Sequence, residues 1–438
     1  MPFWGSWPNI RVGKGGDRRG KFSAYKAETG KNGKEVGMRR KVLLFTVFVL
    51  GIGLLGLAEG EAPCVIKLGA VNPLGDITGD QMTKAMRLAV EEINAAGGVL
   101  GCKLELVVVD SEFNPAKGAA AIEKLVTVDK VNVLIGGMSS SVLYGMIPVM
   151  KKYQMVTVWS GAAASVCEQA LGPEADWFFH LHPWDYLQGQ SEREGLMAII
   201  EKYGIQVKKM FVAYEDGVFG TTSYEGLKAL FPEWEVVGES FKSAAVGGGD
   251  YTAVLQHAKE FDPDVFIWLG YEADALPIME QAKAIGFEPP MFFGAPPGWP
   301  PDFGKSPLSH GVGFFYMWVP AISQVNPVSK HFHDAYVARW DEEPVTYFAP
   351  LGYANVYVVA EAIKRAGTLE KEALIKALEE TEYLSPLGEV LRFSPSNIIK
   401  HQGFKGQKVM QWQNGAAQVI YPFELATAEF IYPFEFGD

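Results

Sequence analysis

From residue 65 onward, short apolar strands and amphipathic helices alternate with brief connections, and this alternation limits the fold more than any other feature. Residues 65–71 make an apolar strand. Residues 79–96 follow as a helix, with Met82, Ala85, Met86, Ala89, Val90 and Ile93 on one stripe at spacings of three and four. Gly97 and Gly98 end it, as glycine does where the chain must leave a helix. A strand at 104–110, helices at 116–126 and 142–152, and strands at 131–135 and 155–159 continue the pattern. Repeated strand–helix–strand units predict an α/β fold with a mostly parallel sheet and helices on both faces.

After residues 178–185 the pattern restarts. Helices are expected at 190–203, 223–230, 251–260 and 273–284, and strands at 209–214, 234–241, 265–269 and 291–293. With 438 residues the chain is too long for one core, so a second α/β lobe is the natural reading. From the strand at 312–318 the chain turns back toward the first lobe, with helices at 330–340, 352–366 and 371–380.

The amino end differs. Residues 1–37 are basic, glycine-rich and aperiodic, which predicts disorder. Met38, Arg39, Arg40 and Lys41 then precede an apolar run over 42–57, the pattern of a secretory leader (38–58) cleaved after Ala58. Met38 reads as the true start and 1–37 as an upstream extension. The run of 16 residues falls short of the roughly 20 a membrane span needs, so cleavage is expected over an uncleaved anchor. Residues 1–64 hold 11 of the 39 Lys/Arg and 5 of the 51 Asp/Glu, which leaves −18 on the remainder. A chain that acidic repels phosphate backbones, so nucleic acid is not an expected partner. Cys64 and Cys102 each stand just before a strand. If those strands are parallel neighbours, an exported protein can bridge them; the alternatives are two unpaired thiols or a lipid on Cys64, whose preceding residues fit poorly.

In open parallel sheets ligands gather beyond the carboxyl ends of the strands. Two such turns carry small hydroxyl residues: Ser139, Ser140 and Ser141 after Ile135, and Ser160, Gly161 and Ala162 after Trp159. Hydroxyls together with free helix N–H groups hold a carboxylate or carbonyl without a charged side chain. Taken singly each serine is as well explained by helix capping. Two such turns in consecutive units favour a site.

The stretch IKLGAVNPLGDITGDQMTKAMRLAVEEINAAGGVLGCKLELVVVDSEFNP, then VNVLIGGMSSS, then VGGGDYTAVLQHAKEFDPDVFIWLGYEADALPIMEQAKAIG, resembles the type I periplasmic solute-binding proteins of ABC importers for branched-chain amino acids and amides. The resemblance implies two Rossmann-like lobes joined by three hinge crossovers, expected near 179–184, 317–320 and 392–394. Lobe I would hold 65–181 with 320–392, and lobe II 185–316 with 395–438. It further implies Ser140, Ser160, Ala162 and Thr78 as first-lobe ligand contacts and Phe219 and Tyr271 as the opposite wall; Ser139 and Gly161 join them from the same turns, and Pro296 and Trp299 from the turn expected to close over the ligand. Trp159 and Trp184 are expected to face the cleft too. The implied partners are a small-molecule solute and a membrane permease, with the protein a monomer or weak homodimer at the outer face of the cell membrane.

Two departures bear on the ligand. The amino-acid receptors place threonine where Ala162 stands, and supply the ammonium partner, a glutamate, from a turn that here reads GAPPGWP with Pro296 in its place. A buried ammonium without a carboxylate is costly. Glu215, Asp216, Glu272 and Asp274 are the substitutes at hand, and an aromatic or aliphatic acid or an amide suits the residues as well as an amino acid. A nucleotide-dependent enzyme should show G-x-G-x-x-G after the first strand, and none is present; nor is there a G-x-S-x-G, an H-E-x-x-H or a P-loop. No cofactor or metal is expected. His331 and His333 lie two apart on a helix and do not face the same way, and His180 with His182 has no Cys or carboxylate at ligand spacing. A ligand-sensing ectodomain would use the same lobes and stays open as the alternative to transport.

Overall fold

The computed structural model describes residues 64–437. The expected extension, leader and cleavage site all lie outside them. The first lobe opens with β1 (Val65–Asn72), α1 (Ile77–Ala95), β2 (Lys103–Asp110), α2 (Pro115–Thr127), β3 (Val133–Gly136), α3 (Ser140–Tyr153), β4 (Thr157–Trp159), α4 (Ser165–Leu171) and β5 (Phe178–His180). These strands form one parallel sheet in the order β2-β1-β3-β4-β5. Its strand order reverses between β1 and β3, so the turns that leave their carboxyl ends diverge and open a crevice.

The chain continues through α5 (Asp185–Tyr203), β6 (Lys209–Glu215), α6 (Val218–Leu230), β7 (Glu235–Phe241), α7 (Thr252–Phe261), β8 (Val265–Leu269), α8 (Ala275–Ile285), β9 (Met291–Gly294) and β10 (Gly313–Tyr316). Next come α9 (Pro327–Trp340), α10 (Phe348–Ala366), α11 (Lys371–Glu379), the small pair β11 (Tyr383–Leu384) and β12 (Val390–Leu391), then β13 (Lys408–Gln413) and β14 (Ala416–Tyr421). The second sheet runs β14-β13-β10-β9-β8-β6-β7, parallel from β10 to β7 and antiparallel at β13 and β14. Its inner strand β8, VFIWL, is buried at all five positions, as an unbroken apolar run in a sheet covered on both faces should be. The edge strand β7 alternates instead. The strand expected at 312–318 is β10 and belongs to this second sheet, so the return to the first lobe comes after it. There α10 packs along α1.

Residues 181–184 carry the chain from β5 straight into α5, which starts five residues before the sequence pattern suggested. Near 402 the chain runs beside β5: Gln402 bridges to His180, and the Gly403 and Phe404 N–H groups donate to the His180 and Leu181 carbonyls (2.7 and 2.9 Å). Residues 396–399, assigned by sequence to the second lobe, are bonded instead to Glu168 on α4. The Glu168 carboxylate accepts from the Ser396 hydroxyl and from the Ile398 and Ile399 N–H groups (3.0 and 3.2 Å). Cys64 and Cys102, at the adjoining starts of β1 and β2, form a disulfide, and Cys167 is a buried free thiol.

Candidate functional site

The turn after β3 is shaped by close packing. Gly136 and Gly137 adopt φ of 91° and 78°, and a Cβ on Gly137 would lie 1.7 Å from the Trp159 ring. The Gly137 N–H donates to the Asn72 side chain (2.9 Å), which ties this turn to the end of β1. Ser139 then caps α3, its hydroxyl accepting from the Val142 N–H (3.4 Å). Ser140 differs: its hydroxyl oxygen accepts from the Ala164 N–H (3.1 Å) in the next turn, which leaves its own proton free to donate. The first N–H groups of α3 add unpaired donors beside it.

Between the lobes lies a narrow cleft with a cavity volume of ≈ 40 Å³. Ser140, Ala162, Phe219 and Tyr271 line it. Ala162 holds a left-handed φ of 73°, unusual for a residue with a side chain and a form of strain that collects at ligand turns. The second lobe contributes Phe219 and Tyr271, whose rings meet at 6.0 Å, and the turn after β9 through Ala295 and Pro297. That turn touches the first lobe directly. The Pro297 carbonyl accepts from the Thr346 hydroxyl (2.6 Å), and Gly298 bridges to Thr346.

Other expected contacts sit behind this wall. Ser139 is buried as the helix cap, with its hydroxyl also within reach of the Tyr271 hydroxyl from the second lobe. Ser160 is fully buried and accepts from the Asn355 side-chain amide on α10 (2.8 Å). Gly161 packs so tightly against Phe348 that a Cβ would come within 2.4 Å, and its carbonyl faces His180 Nε2 at 2.6 Å. Thr78 is buried, its hydroxyl without a partner among the described residues and close to Gly298. Pro296 is buried beside the two turn residues that do face the cleft. Trp299 is not a cleft residue: it packs edge-on to Trp268 and Phe314 in the second core and borders a separate groove with Trp412 and Trp318. Trp159 and Trp184 are core side chains too, the first under Gly137 and the second stacked on His180 at 3.7 Å. In each case a large ring near a strand end found apolar cover that sequence order does not reveal.

The cleft also holds His182, which the sequence offered only as half of a histidine pair, and residues it did not single out: Asp185, Gln188, Glu192, Ser223, Tyr347 and Phe348. His182 Nδ1 contacts the Pro183 carbonyl (2.9 Å), which can only accept, so this nitrogen carries the proton. Nε2 therefore accepts from the Tyr347 hydroxyl (2.9 Å). Burial pushes the His182 pKa down to about 3, so the ring stays neutral. Asp185 is occupied, accepting from the Ser165 N–H and hydroxyl and from the Tyr186 N–H. Glu192 is 5% exposed and its carboxyl has no hydrogen-bond partner among the described residues; burial alone raises its pKa to about 8. The acids proposed from sequence as ammonium partners lie elsewhere. Glu215 accepts from the Gly217 and Gly220 N–H groups, Asp274 from Ser243 and Tyr251, and Glu272, raised to about 7 by burial, does not line the cleft. Asp216 is exposed.

A family model described as periplasmic binding protein matches residues 65–417. The chain belongs to that family. This binding protein is 24% identical over 387 residues to the Leu/Ile/Val-binding protein homolog 7 of Brucella abortus, an alignment covering 84% of this chain and 94% of the relative. Its fold matches a leucine-binding protein from Thermotoga maritima (TM-score 0.70, 22% identity, 82% and 100% of the two chains). It also matches an ABC-transporter solute-binding protein from R. palustris crystallised with benzoate (TM-score 0.69, 19% identity, 81% and 95%). This binding protein is thus of type I in the branched-chain amino acid group, a family of substrate-binding proteins rather than enzymes. Membership implies an extracytoplasmic location, and no helix among the described residues is long and apolar enough to cross a membrane.

Proposed function

We propose that this protein is the solute-binding component of an ABC importer, closing its two lobes over a small solute bearing a carboxylate or amide and presenting it to a membrane permease. One observation carries the reading: the Ser140 hydroxyl, its oxygen occupied by the Ala164 N–H, has its proton free in the wall of an interlobe cleft. Such a donor, with the first N–H groups of α3, suits a carboxylate or carbonyl oxygen. Ala162, Phe219 and Tyr271 would complete the walls, with Ser139, Ser160, Gly161 and Thr78 holding the first-lobe turns in shape. The contact of the Pro297 turn with Thr346 is the latch that opening must release, and a permease reads the closed shape because only ligand favours it. The names of the related proteins, with leucine in one and benzoate in another, support an acid-binding cleft.

A thermal-shift screen of the protein from residue 59 onward against amino acids, amides and aromatic acids tests this. A ligand at 100 times its Kd stabilises by about 2.7 kcal/mol. At least one acid or amide should raise Tm, and Ser140→Ala should reduce that shift. Stabilisation by none of the panel, or an unchanged shift in Ser140→Ala, would remove the serine turn from the site.

A further inference from the structure

Helix α5 places a second recognition group in the cleft. Asp185, Gln188 and Glu192, at intervals of three and four, share one face of the helix and line the cleft together. The helix starts against the serine side, where the Asp185 N–H donates to the Ala163 carbonyl (2.6 Å). Glu192 stands seven residues on, about 10 Å of helical rise away. Its side chain leans back toward the amino end and stays in the cleft, beyond the serine turn. Among the described residues no lysine or arginine lines the cleft. Charged groups on the elements around α5 are engaged elsewhere: Arg193 with Glu233, Glu194 with Tyr421, Lys408 with Glu389, and Lys228 over the Tyr224 ring. Within the cleft, Asp185 is satisfied by Ser165 and Tyr186, His182 is neutral, and Tyr347 donates to His182, while Tyr271 belongs to the opposite wall. The Glu192 carboxyl thus lines the cleft with no hydrogen-bond partner among the described residues.

We propose that Glu192 receives a cationic nitrogen carried by the solute at its end away from the serine turn, so that the ligand is an amine-bearing acid or amide rather than a plain carboxylate. This rests on the cleft reading above. The rings of Phe219 and Tyr271 line the cleft opposite, while Tyr347 and Phe348 stack on each other and on His182. Burial holds the Glu192 proton to about pH 8, so a cation arriving at pH 7 displaces it, and binding releases roughly 0.9 proton.

Isothermal titration at pH 7, in phosphate and in Tris, with matched probes tests the proposal: 4-(aminomethyl)benzoate against 4-methylbenzoate, and 5-aminopentanoate against pentanoate. The amine-bearing member of at least one pair should bind about 30-fold tighter or more, with proton release read from the difference between buffers. Glu192→Gln should abolish the release and weaken amine binding by about 30-fold, leaving the amine-free acid unchanged, with an unaltered far-ultraviolet spectrum. Equal binding of the two members, with Ser140→Ala still weakening both, overturns the role of Glu192 and leaves the serine cleft standing. If no probe binds and Ser140→Ala affects no ligand from the thermal screen, both readings fall.

Discussion

Replacing Glu192 with glutamine keeps the side chain's shape and removes its titration, which isolates the cost of a buried, unpartnered carboxylate. In the unfolded chain a glutamate loses its proton near pH 4.3. In the folded protein burial holds that proton until about pH 8. Below pH 4 both states are protonated, and wild type and Glu192→Gln should unfold alike. As pH rises, the folded state binds one proton more than the unfolded state, so wild-type stability falls relative to the variant by about 1.4 kcal/mol per pH unit. The loss ends once the folded carboxyl ionises, and by pH 9 the variant should lead by roughly 3–5 kcal/mol. Urea unfolding of the ligand-free proteins at half-unit steps from pH 4 to 9, followed by tryptophan fluorescence, measures the difference directly. Comparing the two proteins cancels every other titration. Parallel stability profiles would show that water or a donor reaches Glu192 after all, and the reasoning would fail.

Three further expectations follow from the same geometry. Ser140→Ala should weaken solute binding by about 1–3 kcal/mol, with calorimetry on a hit from the thermal screen as the readout. Gly137→Ala should cost about 3 kcal/mol in urea unfolding, because the methyl group needs both a left-handed backbone and space held by the Trp159 ring. The Cys64→Ser/Cys102→Ser double variant should lose about 4 kcal/mol, the loop-closure value for residues 38 apart, and an unchanged urea midpoint would argue against it.

The alternating pattern was enough to read the two sheets, because β8 and its parallel neighbours are buried on both faces and advertise it as apolar runs. The serine turns stood out only as a pair in consecutive units, since a single serine past a strand serves as well as a helix cap, which is what Ser139 is. The opposite half of the site was not legible. Helix α5 touches both lobes, so its buried positions include Asp185, Gln188 and Glu192, and no apolar stripe marks its start. A glutamate inside a helix normally signals a solvent face, and only packing reveals the exception. Tyr347 and Phe348 were missed because the helix expected at 352–366 begins at Phe348, with Pro350 tolerated in its first turn. Trp299 misled in the other direction, since proximity in sequence to the cleft turn said nothing about the core pocket its ring had already filled.

The disulfide at the start of β1 has a mechanical meaning as well as a thermodynamic one. Tension applied through the chain before Cys64 enters the first sheet at the amino ends of its strands, whereas the solute turns leave from their carboxyl ends. The Cys64–Cys102 link divides that tension between β1 and β2, which are paired in parallel over eight residues from Val65 with Lys103 to Asn72 with Asp110. Because both strands are pulled the same way, the ladder between them is spared, and the shear falls on the parallel pairing of β1 with β3. A molecule held by its amino end can therefore be tugged hard while its cleft, at the far end of the same strands, feels little of the pull.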